Sequence, residues 1–516
     1  MKLKALRAEH VALLSGAVLG MSAPGFEQWY LAWCGLVPFF LVINWSKSLQ
    51  EAAYKGWLFG LGYQLVWLSW FLKLNPPQWV GIQSSQQLLM LAVVVWLGAA
   101  IINSSPFAIT AWIVRALMNK GWLTLTAGEA KVGLTPLLAV PLLWVTVFGF
   151  VANQPDLLLI PMASLEYSQY KNIGLIQACC LFGGVGLQFL IVAYNVALSM
   201  VAVSMDRPGG GRMLPPDKMR FATGQWLAVA CLVGALVLCG GFATRSAVLQ
   251  PDQDVSVLQS GLMFETGRKG RGLHVPEALE VGMPIMEKCP AGLVVWTEQA
   301  LPMLYDRKSS ALEPLKRLAA TRHLDIIFGI EEPAGMAGKK YNAAAGINTT
   351  GEFAPTLYRK RYLIPFGEFE PLMLRAIPAS LKEQLKLPQS PPLLAGAQDT
   401  VLKLSRGDVA LLICGENVDA SICTRSVRNG GQVIANISNL TWFQDSILGE
   451  QTVATAVIRA VENRRYYVYA ADTGPSFVVD PYGRVLTRRR WGEVSLLSTR
   501  FSYLKDLTPF CRLSTW

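Results

Sequence analysis

Histidine is scarce in this chain: His10, His274 and His323 are the three among 516 residues. That scarcity argues against histidine-rich metal sites and leaves few candidates for a Cys-His or Ser-His pair. The nine cysteines include no C-x-x-C pair, which excludes zinc-ribbon and thioredoxin-like readings. Cys289, Cys414, Cys423 and Cys511 fall in the second half with no framework spacing, so no disulfide scaffold is expected. Charge is also low, at 16% of residues, where a soluble globular chain carries about 25%. The deficit lies before about position 245, and the charge content is ordinary after it. A membrane half followed by a soluble half accounts for that split.

Seven apolar runs come near the ~20 residues needed to cross a bilayer. They are roughly 10–26, 29–46, 57–74, 87–114, 136–153, 174–203 and 222–243. The first is the shortest and is broken by Ser22, Pro24 and Gly25. Basic residues are distributed asymmetrically between them. Lys2, Lys4, Arg7, Lys47, Lys55, Arg115, Lys120, Lys131, Arg207, Arg212, Lys218 and Arg220 fall at the N-terminus or after runs two, four and six. The other connections hold Lys73 and Lys171. The positive-inside rule then puts the N-terminus in the cytoplasm and everything after about 245 on the opposite face. This asymmetry accounts for most of the formal charge of +11, so no nucleic-acid partner is expected.

From about 255 the periodicity changes. Short runs rich in β-branched or aromatic residues occur at 255–260, 292–298, 324–330, 343–350, 409–414, 432–438 and 466–472, and they read as strands buried on both faces. Helix-like segments at 313–323, 419–431 and 446–465 alternate with them. "DPYGRVL" (480–486) reads as a turn between two final strands. Such alternation predicts a layered α/β domain. The expected division is a transmembrane domain over 1–245, a catalytic domain over 246–500 and a C-terminal tail over 501–516.

Two strand ends carry reactive side chains. "VVWTE" ends in Glu298, and "VALLIC" ends in Cys414. Ligands of open α/β sheets bind beyond the carboxyl ends of strands. A third stretch, "YRKRYLIPFGEFEP" (358–371), holds Lys360 and Glu368 around an irregular, proline- and glycine-containing loop. A thiol with an ordinary pKa of about 8.5 needs a base or a cation to become a useful nucleophile. Glu298 can take its proton. Lys360 can stabilise the thiolate and then an oxyanion, and the Gly415 amide can supply a second oxyanion donor. Gly415 also suits a sharp strand-to-helix turn. The segment 370–388 reads either as a helix packed on its own domain or as a proline-broken, basic amphipathic lid whose Leu372 and Met373 would meet lipid.

Glu298, Lys360 and Cys414, with the pattern K-x-x-L-x-P-F-G-E ahead of the cysteine, resemble the Glu-Lys-Cys triad of the carbon–nitrogen hydrolase (nitrilase-like) superfamily. With the apolar half, "EYSQ" (166–169) and "TWF" (441–443), the chain resembles the apolipoprotein N-acyltransferase family. The resemblance implies a polytopic helical membrane domain of about seven helices followed by an αββα sandwich. It implies a cofactor- and metal-free transfer of a fatty acyl group from a phospholipid, through a Cys414 thioester, to the N-terminal amine of a diacylglyceryl-cysteine lipoprotein. The implied setting is the bacterial inner membrane, with the catalytic domain periplasmic. Glu368 would help to position the lysine and the acyl group. Glu416 matches an important glutamate of the family, and Trp442 and Phe443 would contact substrate.

Three departures stand out. Gly415 replaces the family's usual tyrosine. The family's tryptophan after the first soluble strand has no match in 258–276, and its final transmembrane helix has none in 498–516. They leave open a paralogue with another acceptor, for example in a conjugation or secretion system, or an amidase that uses water.

Overall fold

The computed structural model describes residues 2–75, 84–125, 135–151, 154–205, 216–246, 249–262, 274–301, 305–336, 338–384 and 393–514. The chain divides into two compact units. One comprises Met1–Leu72, Met90–Gln154 and Leu158–Arg245; the other comprises Lys73–Leu89, Pro155–Leu157 and Ser246–Trp516.

The first unit is helical. Among the described residues, three stretches are long and apolar enough to cross a membrane: Ser85–Asn119, Cys179–Met205 and Ala222–Arg245. Shorter apolar helical stretches run over Ala8–Gly20, Trp29–Trp45 and Pro136–Phe150. The run expected at 87–114 is two helices, Ser85–Asn103 and Ser105–Asn119. At the junction the Ser104 hydroxyl donates to the Ala100 carbonyl (2.6 Å), and Pro106 has no amide to continue the ladder. The run expected at 57–74 starts earlier, as the helix Leu49–Trp67, because Ser48 caps it by accepting from the Glu51 amide. Lys55, expected in a connection, is thus inside that helix and pairs with Glu51 at 2.5 Å. The helices Lys2–Gly20 and Leu49–Trp67 approach closely through glycine. A Cβ on Gly16 would lie 1.9 Å from the Phe59 carbonyl oxygen, so only a bare backbone fits there.

The second unit is built on two six-stranded sheets. Its strands are β1 (Gln253–Gln259), β2 (Gly292–Val295), β3 (Asp325–Pro333), β4 (Lys340–Ile347), β5 (Tyr358–Arg359) and β6 (Val401–Lys403). They continue with β7 (Asp408–Ile413), β8 (Val433–Ser438), β9 (Tyr467–Ala471), β10 (Ser476–Val479), β11 (Val485–Arg489) and β12 (Ser495–Phe501). The orders are β12-β1-β2-β3-β4-β5 and β11-β10-β9-β8-β7-β6. Both sheets have a parallel centre, β1-β2-β3 and β7-β8-β9, flanked by antiparallel strands.

The sheets face each other through one apolar layer. Val255, Val257, Leu293, Val295 and Ile327 from the first meet Leu411, Ile413, Ala435, Ile437 and Val468 from the second. Fully burying an aliphatic side chain contributes about 1.5–3 kcal/mol, so this seam is the main support of the unit. The helices Val275–Met286 and Glu313–Arg322 cover the outer face of the first sheet. Ala420–Arg428 and Leu448–Asn463 cover the second. The layering is αββα, as the resemblance implies.

Two expectations change. The hairpin around 480–486 is present as β10–β11, but β11 is not the last strand: β12 follows and pairs antiparallel with β1 in the other sheet. Residues 501–514, expected as a tail, lie within the second unit. Phe501 is buried in β12, and Thr508 caps the short helix Pro509–Leu513 by accepting from the Cys511 amide (2.9 Å). The buried Arg465 guanidinium donates to the carbonyls of Lys505 and Asp506.

Candidate active site

Cys414 directly follows β7 and opens the 3-10 turn Cys414–Val418. Its φ is +55°, a left-handed conformation uncommon outside glycine. Two contacts hold it. The Ile413 amide donates to Glu416 Oε2 (2.7 Å), and Asn436 Nδ2 donates to the Cys414 carbonyl (3.2 Å). The sharp turn expected at Gly415 is therefore made by the cysteine itself, and Gly415 has no positive φ. A Cβ at 415 would come 2.9 Å from Ile364 Cδ1, the tip of a side chain that would have to turn aside.

Glu298 stands three residues past the end of β2, and Lys360 immediately follows β5. Both are buried, Lys360 to 1% exposure. The Lys360 amide donates to the Asn342 carbonyl (2.8 Å), which extends the β4–β5 pairing and aims the side chain inward. Lys360 Nζ donates to Glu368 Oε1 at 2.8 Å and reaches Glu298 Oε1 at 3.5 Å. Asn342 Nδ2 donates to both carboxylates, at 2.7 Å to Glu298 and 3.1 Å to Glu368. The ammonium thus sits between two carboxylates that share a second donor.

The charges follow from this packing. Burial alone would lower the Lys360 pKa. Glu368, Cys414 and Glu298 override it, and the ammonium is held well above its ordinary value. Burial raises the Glu298 carboxyl, against the pull of Lys360. The Cys414 thiol is pushed up to about 12 by burial and by Glu298, with Lys360 opposing. The resting cysteine is a thiol facing a carboxylate with raised proton affinity. Passing its proton to Glu298 moves charge within the site without adding any.

Glu416, expected as a supporting residue beside the nucleophile, joins two segments of the site. It is fully buried, and its carboxylate accepts from Tyr358 Oη (2.8 Å) and from the amides of Ile413 (2.7 Å), Arg361 (2.6 Å) and Tyr362 (3.1 Å). It ties the segment around Lys360 to the end of β7. Trp442 and Phe443 lie half-buried on the turn Thr441–Phe443, three residues beyond β8, where the Trp442 carbonyl accepts from the Asn75 amide (2.6 Å). Leu372 is 55% exposed on the short helix Leu372–Arg375. The Met373 side chain, with Leu385 and Leu387 of the expected lid, lies outside the described residues.

Sequence reasoning missed Asn342 and Asn436. Each is a lone amide inside an apolar strand, in "YNAAAGI" and "VIANIS". A buried polar side chain is retained only where it is hydrogen-bonded, and that was the available signal.

Cys414 thus follows one strand end of an αββα sandwich, near a buried glutamate–lysine pair. Residues 272–502 match the family model for carbon-nitrogen hydrolase, and residues 15–197 match that for the apolipoprotein N-acyltransferase N-terminal domain. The chain is 27% identical over 512 residues to an apolipoprotein N-acyltransferase of Pseudomonas paraeruginosa, covering 98% of this chain and 92% of that one. It is 28% identical over 490 residues to one of Geobacter metallireducens, covering 92% and 85%. Among solved structures it is similar to a nitrilase-superfamily protein of Saccharomyces cerevisiae, with 19% identity, a TM-score of 0.38, and coverage of 50% of this chain and 93% of that one. The chain belongs to the apolipoprotein N-acyltransferase family.

Proposed function

We propose that this protein moves a fatty acyl chain from a phospholipid to the N-terminal amine of a diacylglyceryl-cysteine lipoprotein, with Cys414 as the acyl carrier. The observation that carries the reading is the meeting of Cys414 with a buried Glu298–Lys360 pair in a chain that also has an apolar helical unit. Glu298 accepts the thiol proton as sulfur attacks the ester carbonyl. The carbon–sulfur bond forms, and Lys360 and the Gly415 amide stabilise the oxyanion. Collapse breaks the carbon–oxygen bond, and the lysophospholipid leaves with the proton from Glu298. The lipoprotein amine then attacks the thioester. Its proton passes to Glu298, the carbon–nitrogen bond forms, the carbon–sulfur bond breaks, and the thiol is restored. Splitting one transfer into two is the gain of covalent catalysis. Asn342 and Glu368 fix Lys360, while Trp442, Phe443, Leu372 and Met373 supply apolar surface for the acyl chains.

The setting in this reading is the bacterial inner membrane, with the catalytic unit periplasmic. Two connections of the apolar half, Lys73–Leu89 and Pro155–Leu157, fold with the catalytic unit, and Lys73 is their single basic residue. They belong to the poorly basic side, which supports that orientation. Mass spectrometry of the Cys414 peptide after isolation from membranes tests the function. A fatty-acyl adduct, discharged when a diacylglyceryl-cysteine peptide is added, is the expected result. A free thiol after incubation with phospholipid would refute it.

A further inference from the structure

Ser438 ends β8, which runs parallel to β7 with Ile437 paired to Ile413. The residues that follow this pair are Ser438, the last of β8, and Cys414, which opens the turn after β7. Ser438 is fully buried. Its carbonyl accepts from the Asp472 amide (3.2 Å). Its hydroxyl lies beside the Cys414 thiol and the Tyr469 phenol, yet completes no hydrogen bond of normal length and angle with either. A buried hydroxyl left in that state costs stability that alanine in the same space would avoid. The cost makes sense if the partner exists only during reaction. A neutral thiol is a weak acceptor, whereas an anionic acceptor makes a charge-assisted bond.

We infer that the Ser438 hydroxyl is a catalytic hydrogen-bond donor to the Cys414 thiolate. This rests on the reading of Cys414 as the nucleophile. The first sheet presents Glu298, Lys360 and Glu368 to the sulfur, and the second presents Ser438 and Tyr469. Lys360 supplies charge from one side. Ser438 supplies a donor from the other, beside the Tyr469 phenol, whose ring is fixed by stacking on Phe477 at 4.9 Å. The donor matters most when the sulfur is anionic, so it lowers the free energy of the thiolate more than that of the thiol.

The test is alkylation of Cys414 by iodoacetamide in the full-length, detergent-solubilised protein, read at the Cys414 peptide by mass across a range of pH. Ser438→Ala should raise the apparent thiol pKa by about one unit, which makes alkylation about tenfold slower at every pH on the rising limb. Ser438→Thr, which keeps the hydroxyl on a strand, should recover most of the rate. Mere loosening of the packing would act in the opposite sense, because a more open thiol reacts faster. An unchanged or faster Ser438→Ala profile overturns the inference, as does equal slowing in both variants. Failure of the wild-type Cys414 peptide to be alkylated at any pH would sink the nucleophile reading itself, a separate result.

Discussion

Four donors converge on the carboxylate of Glu416: the phenol of β5, two amides just past Lys360, and the amide just before Cys414. Removing the acceptor would strand all four around a fully buried position. Each buried donor left unpaired costs about 1–3 kcal/mol, and the losses are not additive. Glu416→Ala should therefore cost on the order of 4 kcal/mol, lowering the melting temperature by roughly 10 °C. Glu416→Gln should fall between, because its amide nitrogen would face donors. A thermal melt at wild-type temperature combined with lost acyl transfer would instead place Glu416 in the chemistry. The nucleophile behaves differently. Cys414→Ala and Cys414→Ser should lose the thioester and keep the wild-type melting temperature, since neither removes a hydrogen bond from the clamp. Lys360→Arg should also lose transfer. The slot between Glu298 and Glu368 holds a compact ammonium, and a planar guanidinium cannot reproduce its position. Full transfer activity in Cys414→Ala would refute covalent catalysis.

The strand elements that hold this site differ in how legible they are in the sequence. β7 and β9 are largely apolar runs buried along their length, and β8 is one interrupted by Asn436 and closed by Ser438. Cys414 and Glu298 could be placed at strand ends for that reason. β5 and β6 are two and three residues long, too short to show a period. β12 pairs with β1 some 240 residues earlier, and no local pattern encodes so distant a partner. The left-handed turn at Cys414 was equally hidden, because it is imposed by Glu416 and Asn436 and not by glycine. The segment after Lys360 was legible as interrupted helix, and it forms two short helices, Leu372–Arg375 and Ala379–Gln384. Leu372 is 55% and Leu381 42% exposed, while Arg375 pairs with Asp156 and Lys382 with Glu370. Exposed leucines beside cations suit the surface of an anionic bilayer. Changing Leu372 and Leu381 to serine should slow acylation of Cys414 by phospholipid in membranes severalfold. It should leave alkylation of Cys414 by a small soluble reagent unchanged. Equal slowing of both would make the segment a structural support of the fold.

For the molecule as a whole, the decisive quantity is which face of the membrane each charged stretch occupies. The basic residues cluster at the N-terminus and after the second, fourth and sixth apolar runs, whereas Lys73 and Lys171 alone mark the alternate connections. A bias of that size in short connections sets orientation, because basic residues near span ends resist translocation. The stretches Lys73–Leu89 and Pro155–Leu157 belong to the same compact unit as residues after 246, so the proposed orientation puts these three parts of the chain in one compartment. The ion pair of Arg375 with Asp156 and the hydrogen bond from the Asn75 amide to the Trp442 carbonyl express that sharing in individual contacts. Reporter fusions should reflect it. A periplasm-active phosphatase joined at positions 80, 154 or 260 should be active. Joined between 206 and 215, or at 47, it should be silent, and a cytoplasm-active reporter should give the reverse pattern. Activity of the cytoplasm-active reporter at 260 would require an even number of crossings between the N-terminus and the catalytic unit. The thiol would then lie on the cytoplasmic side, where no exported lipoprotein could meet it.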